Sequence, residues 1–240
     1  MIDAVLFDLD GTLADTAADL GAVLNRLRSE AGQAPLAAAT IRPHVSKGVR
    51  GLLGIGFALA PGDDGYAELH QRFLAYYGDS LCVATTLFEG VPGLLASLEG
   101  EGIKWGVVTN KTSRYTLPVM EALGLGRRAA CIVSGDSSPR PKPAADPLLL
   151  ASTLAGAPPA RCPYVGDDLR DLQADLQRIR ASTLLIWGAK DNLFGARDRC
   201  SLQKALPQAE VRLFEKLGHN AYWEDPQAVA SAINAFLAVK

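Results

Sequence analysis

The stretch VLFDLDGTLADT, residues 5–16, is an apolar run that ends on two aspartates, Asp8 and Asp10, and then turns at Gly11. Together with Ala4 it gives AVLFDLD, a short run of apolar and β-forming residues that is typical of a strand buried on both faces. Acidic residues that follow a strand are often simple turn formers, and a single pair of them would favour that interpretation.

The composition is that of an ordinary globular protein. The 240 residues suit one large domain, or a core with a smaller insert, and the net charge of −2 gives no general attraction for nucleic acid or an anionic membrane. The longest uncharged stretches are too short to span a bilayer, and a strand begins too near Met1 for a signal peptide. The four cysteines are far apart in the sequence, which favours reduced thiols and a cytoplasmic location.

Strand and helix patterns alternate after residue 86. Strands are predicted at 103–110, 131–135, 161–168, 183–188 and 210–215, and a closing amphipathic helix at 225–239. Residues 15–85 show helical patterns without a clear strand, so this block is predicted to be a helical insert. The pattern predicts an α/β fold with a doubly wound, Rossmann-like parallel sheet covered on both faces.

Polar residues suited to one task follow several of the predicted strands. In a doubly wound sheet, ligands bind beyond the carboxyl ends of the strands. The polar segments are DLDGT after the first strand, TNK after the second, the loop SSPRPKP with Lys142, and GDDLRD after YVG. Carboxylates, a hydroxyl and an ammonium group at one crevice predict a Mg²⁺ ion and a phosphate, because Mg²⁺ binds few carboxylates together with phosphate oxygens. The complete set makes the turn-former interpretation of Asp8 and Asp10 unfavourable.

The two aspartates are suited to two different catalytic roles. Alternation along a strand puts Asp8 and Asp10 on one side and Leu9 on the other. Asp8 is then the candidate nucleophile, and Asp10 is the candidate acid for the leaving oxygen and base for the attacking water. Gly11 permits the sharp exit from the strand, and Thr12 is a candidate cap of the turn.

The segments DLDGTLADT, VVTNK, PRPKP and YVGDDLRD resemble the four motifs of the haloacid dehalogenase superfamily, over residues 1 to about 174. Within it, the chain is similar to the branch of phosphoglycolate phosphatases and N-acetylmuramic acid 6-phosphate phosphatases. The resemblance implies a phosphoaspartyl intermediate on Asp8 and hydrolysis of a small phosphorylated metabolite. It disfavours dehalogenation, because Asp10 supplies the acid that phosphoryl transfer needs.

The resemblance also implies the roles of other residues. Phosphate binding is expected from Gly11, Thr109, Asn110 and Lys142. Mg²⁺ is expected on Asp8, the Asp10 backbone carbonyl and Asp167, with supporting roles for Asp168, Asp171 and Thr12.

The insert carries a weaker signal in RPHVSKGVRG. His44, Ser46, Lys47 and Arg50 could meet a second anionic group of the substrate, such as a carboxylate. A solvated helix end explains the same residues equally well.

The last third departs from this family. TLLIWGAKD and GHNAYWEDP resemble the end of an α/β-hydrolase, where Asp191 and His219 would match the acid and histidine of a catalytic triad. The chain has no G-x-S-x-G nucleophile motif, and GDSL at 78–81 falls at a predicted helix end, so the pair has no serine to activate. A structural role is favoured, with TLLIWG and EVRLFE extending the sheet beside the YVG strand. His219 would then lie roughly 14 Å from the first strand.

The predicted organisation is a core of 1–14 and 86–174, a helical cap of 15–85, and a C-terminal segment of 175–240 that completes the sheet of a chimeric chain. The leading function is a Mg²⁺-dependent phosphatase without nucleic-acid or membrane partners. The alternatives are a hybrid scaffold with weak or no activity, and an acyl hydrolase using Asp191 and His219.

Overall fold

The first strand, Ala4–Phe7, is central to the fold and fully buried. In the computed structural model, the described residues are 2–166, 184–191, 196–207, 209–218 and 221–238. The described strands are β1 (Ala4–Phe7), β2 (Ala14–Asp15), β3 (Thr86–Leu87), β4 (Lys104–Val108), β5 (Cys131–Val133), β6 (Tyr164–Val165), β7 (Leu184–Gly188) and β8 (Glu210–Phe214).

Helices occupy most of the block predicted to be helical at 15–85 and the closing segment predicted at 225–239. The described helices are α1 (Ala17–Glu30), α2 (Ala38–Ile41), α3 (Gly48–Phe57), α4 (Tyr66–Asp79), α5 (Val91–Gly100), α6 (Ser113–Ala122), α7 (Asp146–Ala155), α8 (Ala196–Ala205), α9 (Ala221–Glu224) and α10 (Pro226–Ala238), with 3-10 turns at Arg42–Lys47 and Pro159–Arg161. None of the helices in these described ranges is long and apolar enough to cross a membrane.

The chain divides into two compact units. Unit 1 contains residues 1–13 and 87–240, and unit 2 contains residues 14–86. Unit 2 holds α1 to α4, in the block predicted to be a helical insert. Its assignment as a cap stays a prediction.

The main sheet of unit 1 is parallel, with strand order β5-β4-β1-β6. Alternation along β1 sends Ala4 and Leu6 to one face, where they pack with Val108 and Val133 in a cluster that includes residues of α7. On the other face Phe7 lines an apolar cleft with residues of α5 and α10. The predicted parallel α/β sheet is therefore confirmed, and it is covered by helices on both faces.

The prediction for the C-terminal strands was wrong in one respect. β7 and β8 pair in parallel over five residues each, but among the described residues they form a separate two-stranded sheet and do not continue the main sheet beside β6. Residues 167–183, which connect β6 to β7 in the sequence, lie outside the described residues. The backbone groups of β7 are paired with β8 instead.

Candidate active site

The carboxyl ends of β1 and β4 bring the predicted site residues to one edge of the sheet. Asp8 directly follows β1, and its backbone N–H donates to the carbonyl of Val165 at 2.8 Å. Thr109 directly follows β4, and its N–H donates to the carbonyl of Val133 at 2.9 Å. These bonds continue the parallel ladders by one residue, which fixes the starting direction of both side chains.

Asp8 and Lys142 form a buried ion pair. Lys142 Nζ lies 3.1 Å from Asp8 Oδ1, and the two residues are only 4% and 7% exposed. The backbone N–H of Leu9 also donates to Asp8 Oδ1, at 2.7 Å. Since both contacts from described residues fall on Oδ1, Oδ2 is the oxygen that they leave for other partners. The loop PRPKP thus delivers its lysine to the aspartate, as the sequence predicts.

A second ion pair joins Asp10 to Lys111. Lys111 Nζ lies 2.8 Å from Asp10 Oδ1, and the side chains are 9% and 16% exposed. Lys111 belongs to the TNK segment, but its role was not predicted from the sequence. Its position directly after a strand end was the signal that could have identified it.

Tyr164 is the other residue that the sequence reasoning missed. Lys142 Nζ donates to its hydroxyl at 2.7 Å and lies 5.3 Å from the centre of its ring. Tyr164 lies in β6, on the opposite side of β1 from β4. The sequence gives no pattern that links a strand tyrosine to a loop lysine 22 residues earlier.

The remaining motif residues shape the loops. Gly11 has a φ of 82°, a left-handed conformation that costs glycine little. Thr109 is buried, and its Oγ1 accepts a hydrogen bond from the Lys111 N–H at 3.2 Å. Asn110 donates from Nδ2 to the Lys142 carbonyl at 2.9 Å, so it ties the β4 loop to the lysine loop. Thr12 is buried in the turn that follows Asp10. Phosphate binding by these residues stays a prediction.

Asp167, Asp168 and Asp171 lie outside the described residues. No cluster of three or more acidic, histidine or cysteine side chains that could hold a metal ion is found within the described ranges. Those ranges contain two of the three expected Mg²⁺ ligands, Asp8 and the Asp10 carbonyl. A buried carboxylate whose Oδ2 is left for other partners suits such an ion.

Cys131 and Cys162 are not candidates for a catalytic nucleophile. Cys131 and Cys162 are buried in the apolar cluster. Burial raises the pKa of the Cys131 thiol to about 11 and, together with the nearby Cys131 and Asp3, raises the pKa of Cys162 to about 12. Both thiols are therefore protonated and unreactive near neutral pH.

The other predicted residues lie away from these loops in the sequence. In unit 2, His44, Ser46 and Lys47 lie in the 3-10 turn and are half-buried, while Arg50 in α3 is exposed. GDSL falls at the end of α4, as predicted. Asp191 follows β7, but His219 lies outside the described residues, so the hydrolase-like pair is not tested.

Comparison with known proteins places this geometry in a family. The model of the haloacid dehalogenase-like hydrolases matches residues 5–178. N-acetylmuramic acid 6-phosphate phosphatase of Pseudomonas aeruginosa is 40% identical over 173 residues, which cover 72% of this chain and 76% of that protein. Phosphoglycolate phosphatase of Xanthomonas campestris pv. campestris is 40% identical over 185 residues, covering 77% and 83% of the two chains.

Solved structures show the same fold. A haloacid dehalogenase-like family protein of Streptococcus pneumoniae has a TM-score of 0.65 at 23% identity, covering 88% of this chain and 94% of that chain. A haloacid dehalogenase-superfamily hydrolase of Geobacter sulfurreducens has a TM-score of 0.60 at 21% identity, covering 93% and 95%. The structural likeness therefore extends beyond residue 178, where the family model ends.

The chain belongs to the haloacid dehalogenase-like hydrolases. Within that family it is a phosphatase, a hydrolase of phosphoric monoesters, as are both curated relatives by name.

Proposed function

We propose that the chain is a Mg²⁺-dependent phosphatase that hydrolyses a small phosphomonoester through a phosphoaspartyl intermediate on Asp8. The observation that carries this proposal is the buried pair of Asp8 and Lys142 at the carboxyl end of β1. A lysine ammonium at that position pairs with the Asp8 carboxyl group and offers positive charge to a phosphate that approaches Oδ2.

In the first step an oxygen of Asp8 attacks phosphorus, and the bond from phosphorus to the ester oxygen breaks. Asp10 donates a proton to that oxygen, which leaves as an alcohol. Lys142 and Thr109 are the proposed partners of the phosphoryl oxygens, since both are buried, Lys142 against Asp8 and Thr109 directly after β4. The product of this step is the aspartyl phosphate on Asp8.

In the second step Asp10 accepts a proton from water, and the water oxygen attacks phosphorus. The bond between Asp8 and phosphorus breaks, which releases inorganic phosphate and returns Asp8 as a carboxylate. The acid of the first step thus becomes the base of the second, and the cycle is balanced in protons.

Mg²⁺ would be held by Asp8, the backbone carbonyl of Asp10 and Asp167, where it would offset the charge of the phosphate. Asp168 and Asp171 would support that group electrostatically.

The proposed substrate class is a phosphomonoester that also carries a carboxylate. N-acetylmuramic acid 6-phosphate and phosphoglycolate, which the curated relatives' names state, share both groups. Lys47 and Arg50 supply positive charge on unit 2, and together with His44 they are the candidates that the sequence predicts for this carboxylate. A series of phosphomonoesters with and without a carboxylate tests the class by comparing kcat/KM.

The mechanism is tested by phosphate release from an aryl phosphate. Asp8→Asn is expected to abolish release, and EDTA is expected to do the same until Mg²⁺ is restored. The matched control is Asp3→Asn, at the opposite end of the same strand, where Asp3 pairs with Arg161. Release that survives both Asp8→Asn and chelation would rule the mechanism out.

For the C-terminal segment we propose a structural role rather than acyl hydrolysis, whether or not the chain is chimeric. Val229, Ala230 and Ile233 of α10 line the apolar cleft beside Phe7 of β1, so this helix covers the catalytic strand. An aryl ester is expected not to be cleaved above background, and cleavage that His219→Ala removes while Asp8→Asn spares it would support the hydrolase alternative. An inactive hybrid would instead show no phosphate release from the unmodified chain.

A further inference from the structure

We propose that Lys111 is a positioning residue that holds the Asp10 carboxyl group in line for proton transfer to the leaving oxygen. This inference rests on the proposed function, in which Asp10 is the general acid. It assigns a role to Lys111, a residue of the TNK segment for which the sequence predicted none.

The ion pair supplies the contact. Lys111 Nζ lies 2.8 Å from Asp10 Oδ1, and both side chains are largely shielded from solvent. A shielded charged pair is weakly screened, so it restricts rotation of the carboxylate more than an exposed pair would. The position of Nζ therefore restrains the orientation of the Asp10 carboxyl group through Oδ1.

The backbone of Lys111 is itself fixed at three points. Its N–H donates to Thr109 Oγ1 at 3.2 Å, and its carbonyl accepts from the Gly135 N–H and from Thr116 Oγ1, each at 2.9 Å. A Cβ added at Gly135 would lie 2.3 Å from the Asn110 carbonyl oxygen, so only glycine permits this close approach. The lysine thus projects from a braced turn, as a residue with a positional task requires.

Within the described ranges, the two lysines form ion pairs with different aspartates. Lys142 contacts Asp8, the candidate nucleophile, and Lys111 contacts Asp10, the candidate acid and base. This separation predicts different defects when each lysine is removed. Loss of Lys111 should impair protonation of the leaving group and leave attack by Asp8 largely intact.

The experiment measures kcat/KM for phosphomonoesters whose leaving groups range from activated phenols to a simple alcohol. This ratio reports the steps up to departure of the leaving group. An activated phenolate leaves with little help from an acid, whereas an alkoxide needs a proton. For Lys111→Met, kcat/KM for the alkyl phosphate is expected to fall on the order of 100-fold, while the value for the most activated aryl phosphate changes little.

A structural role for Lys111 gives a different result. If the lysine only joins the ends of β1 and β4, kcat/KM should fall by one common factor across the series, and that outcome overturns the inference. So does an unchanged alkyl phosphatase activity. Lys111→Arg, which keeps the charge, is expected to recover most of the loss. Adding Lys111→Met to Asp10→Asn is expected to cost little more, because the lysine acts through Asp10.

The matched control is Lys104→Met, which removes a lysine from the opposite end of β4 that bonds the Ala155 carbonyl. It should leave the dependence on leaving group unchanged. If Lys111→Met does not fold, Lys111→Gln is measured in the same series. Absence of any phosphate release from the unmodified chain would refute the proposed function, whereas an active chain with parallel dependences would refute this inference alone.

Discussion

Replacing Lys142 by methionine removes one partner of the buried ion pair at the catalytic strand. Methionine keeps much of the lysine's length but none of its charge. The Asp8 carboxylate would then stay in a site that is 7% exposed, and among its contacts from described residues it would keep the local Leu9 N–H.

The cost follows from this burial. Removal of one partner of a buried ion pair typically destabilises a protein by about 3–5 kcal/mol, since an uncompensated charge remains in a poorly solvated site. The Lys142 side chain is 1% exposed, so water does not screen the pair. We therefore expect Lys142→Met to lower the free energy of unfolding by an amount in this range.

Urea denaturation in the presence of EDTA measures this free energy without compensation by a cation. The matched control is Arg140→Met in the same loop, where the Arg140 side chain is 64% exposed and pairs with Asp146. An exposed pair of this kind contributes up to about 1 kcal/mol. Adding Asp8→Asn to Lys142→Met should recover part of the loss, because the second change removes the stranded charge.

Two results would refute this reasoning. One is a Lys142→Met variant that loses no more stability than Arg140→Met. The other is a double variant whose loss equals the sum of the two single losses, because additivity would show that Asp8 and Lys142 are not coupled.

Three further predictions follow from contacts in the two units. Tyr164→Phe, which removes the hydroxyl that the buried lysine bonds, should lower kcat/KM by roughly tenfold, the equivalent of one hydrogen bond to a charged group, and an unchanged value would show that the ring alone positions the lysine. Asp19→Ala removes the acceptor of three hydrogen bonds from the segment that leaves unit 2 and should destabilise unit 2 by about 2–4 kcal/mol, measured by thermal unfolding. Burial raises the pKa values of Cys131 and Cys162 to about 11 and about 12, so both thiols should resist alkylation at pH 8 while the exposed Cys200 reacts. Because these folded-state pKa values lie above the ordinary thiol value, the free energy of unfolding should fall as the pH rises above about 9.

The local sequence pattern was sufficient to predict the two strands that precede the motif residues Asp8 and Thr109. The apolar run before Asp8 and the run before Thr109 became β1 and β4, because an uninterrupted apolar segment of that length can be buried on both faces of a parallel sheet. The contact between Lys142 and Asp8 also followed from the rule that ligand-binding loops gather at the carboxyl ends of strands.

The features that the sequence did not predict depend on tertiary packing. Which lysine faces which aspartate is decided by the turn that braces Lys111, and the link from Tyr164 to Lys142 crosses from β6 to a distant loop. Helix α8 (Ala196–Ala205) was not predicted because ARDRCSLQKA has few apolar residues to mark a buried face. β7 and β8 pair with each other in a separate sheet, and a strand pattern in the sequence does not say which other strand it will pair with.

The hydrogen bond from the Phe88 N–H to the Leu13 carbonyl, at 3.1 Å, joins the two places where the chain leaves unit 1 and comes back to it. Residues 14–86 are therefore an excursion whose two ends meet, and a tight turn could in principle bridge them. Since the entropy of closing a loop rises by only about 0.6 kcal/mol for each doubling of its length, excursions of very different sizes are compatible with the same junction. Such a junction lets the strand that precedes the two aspartates stay unaltered while the excursion is shortened, lengthened or exchanged for another.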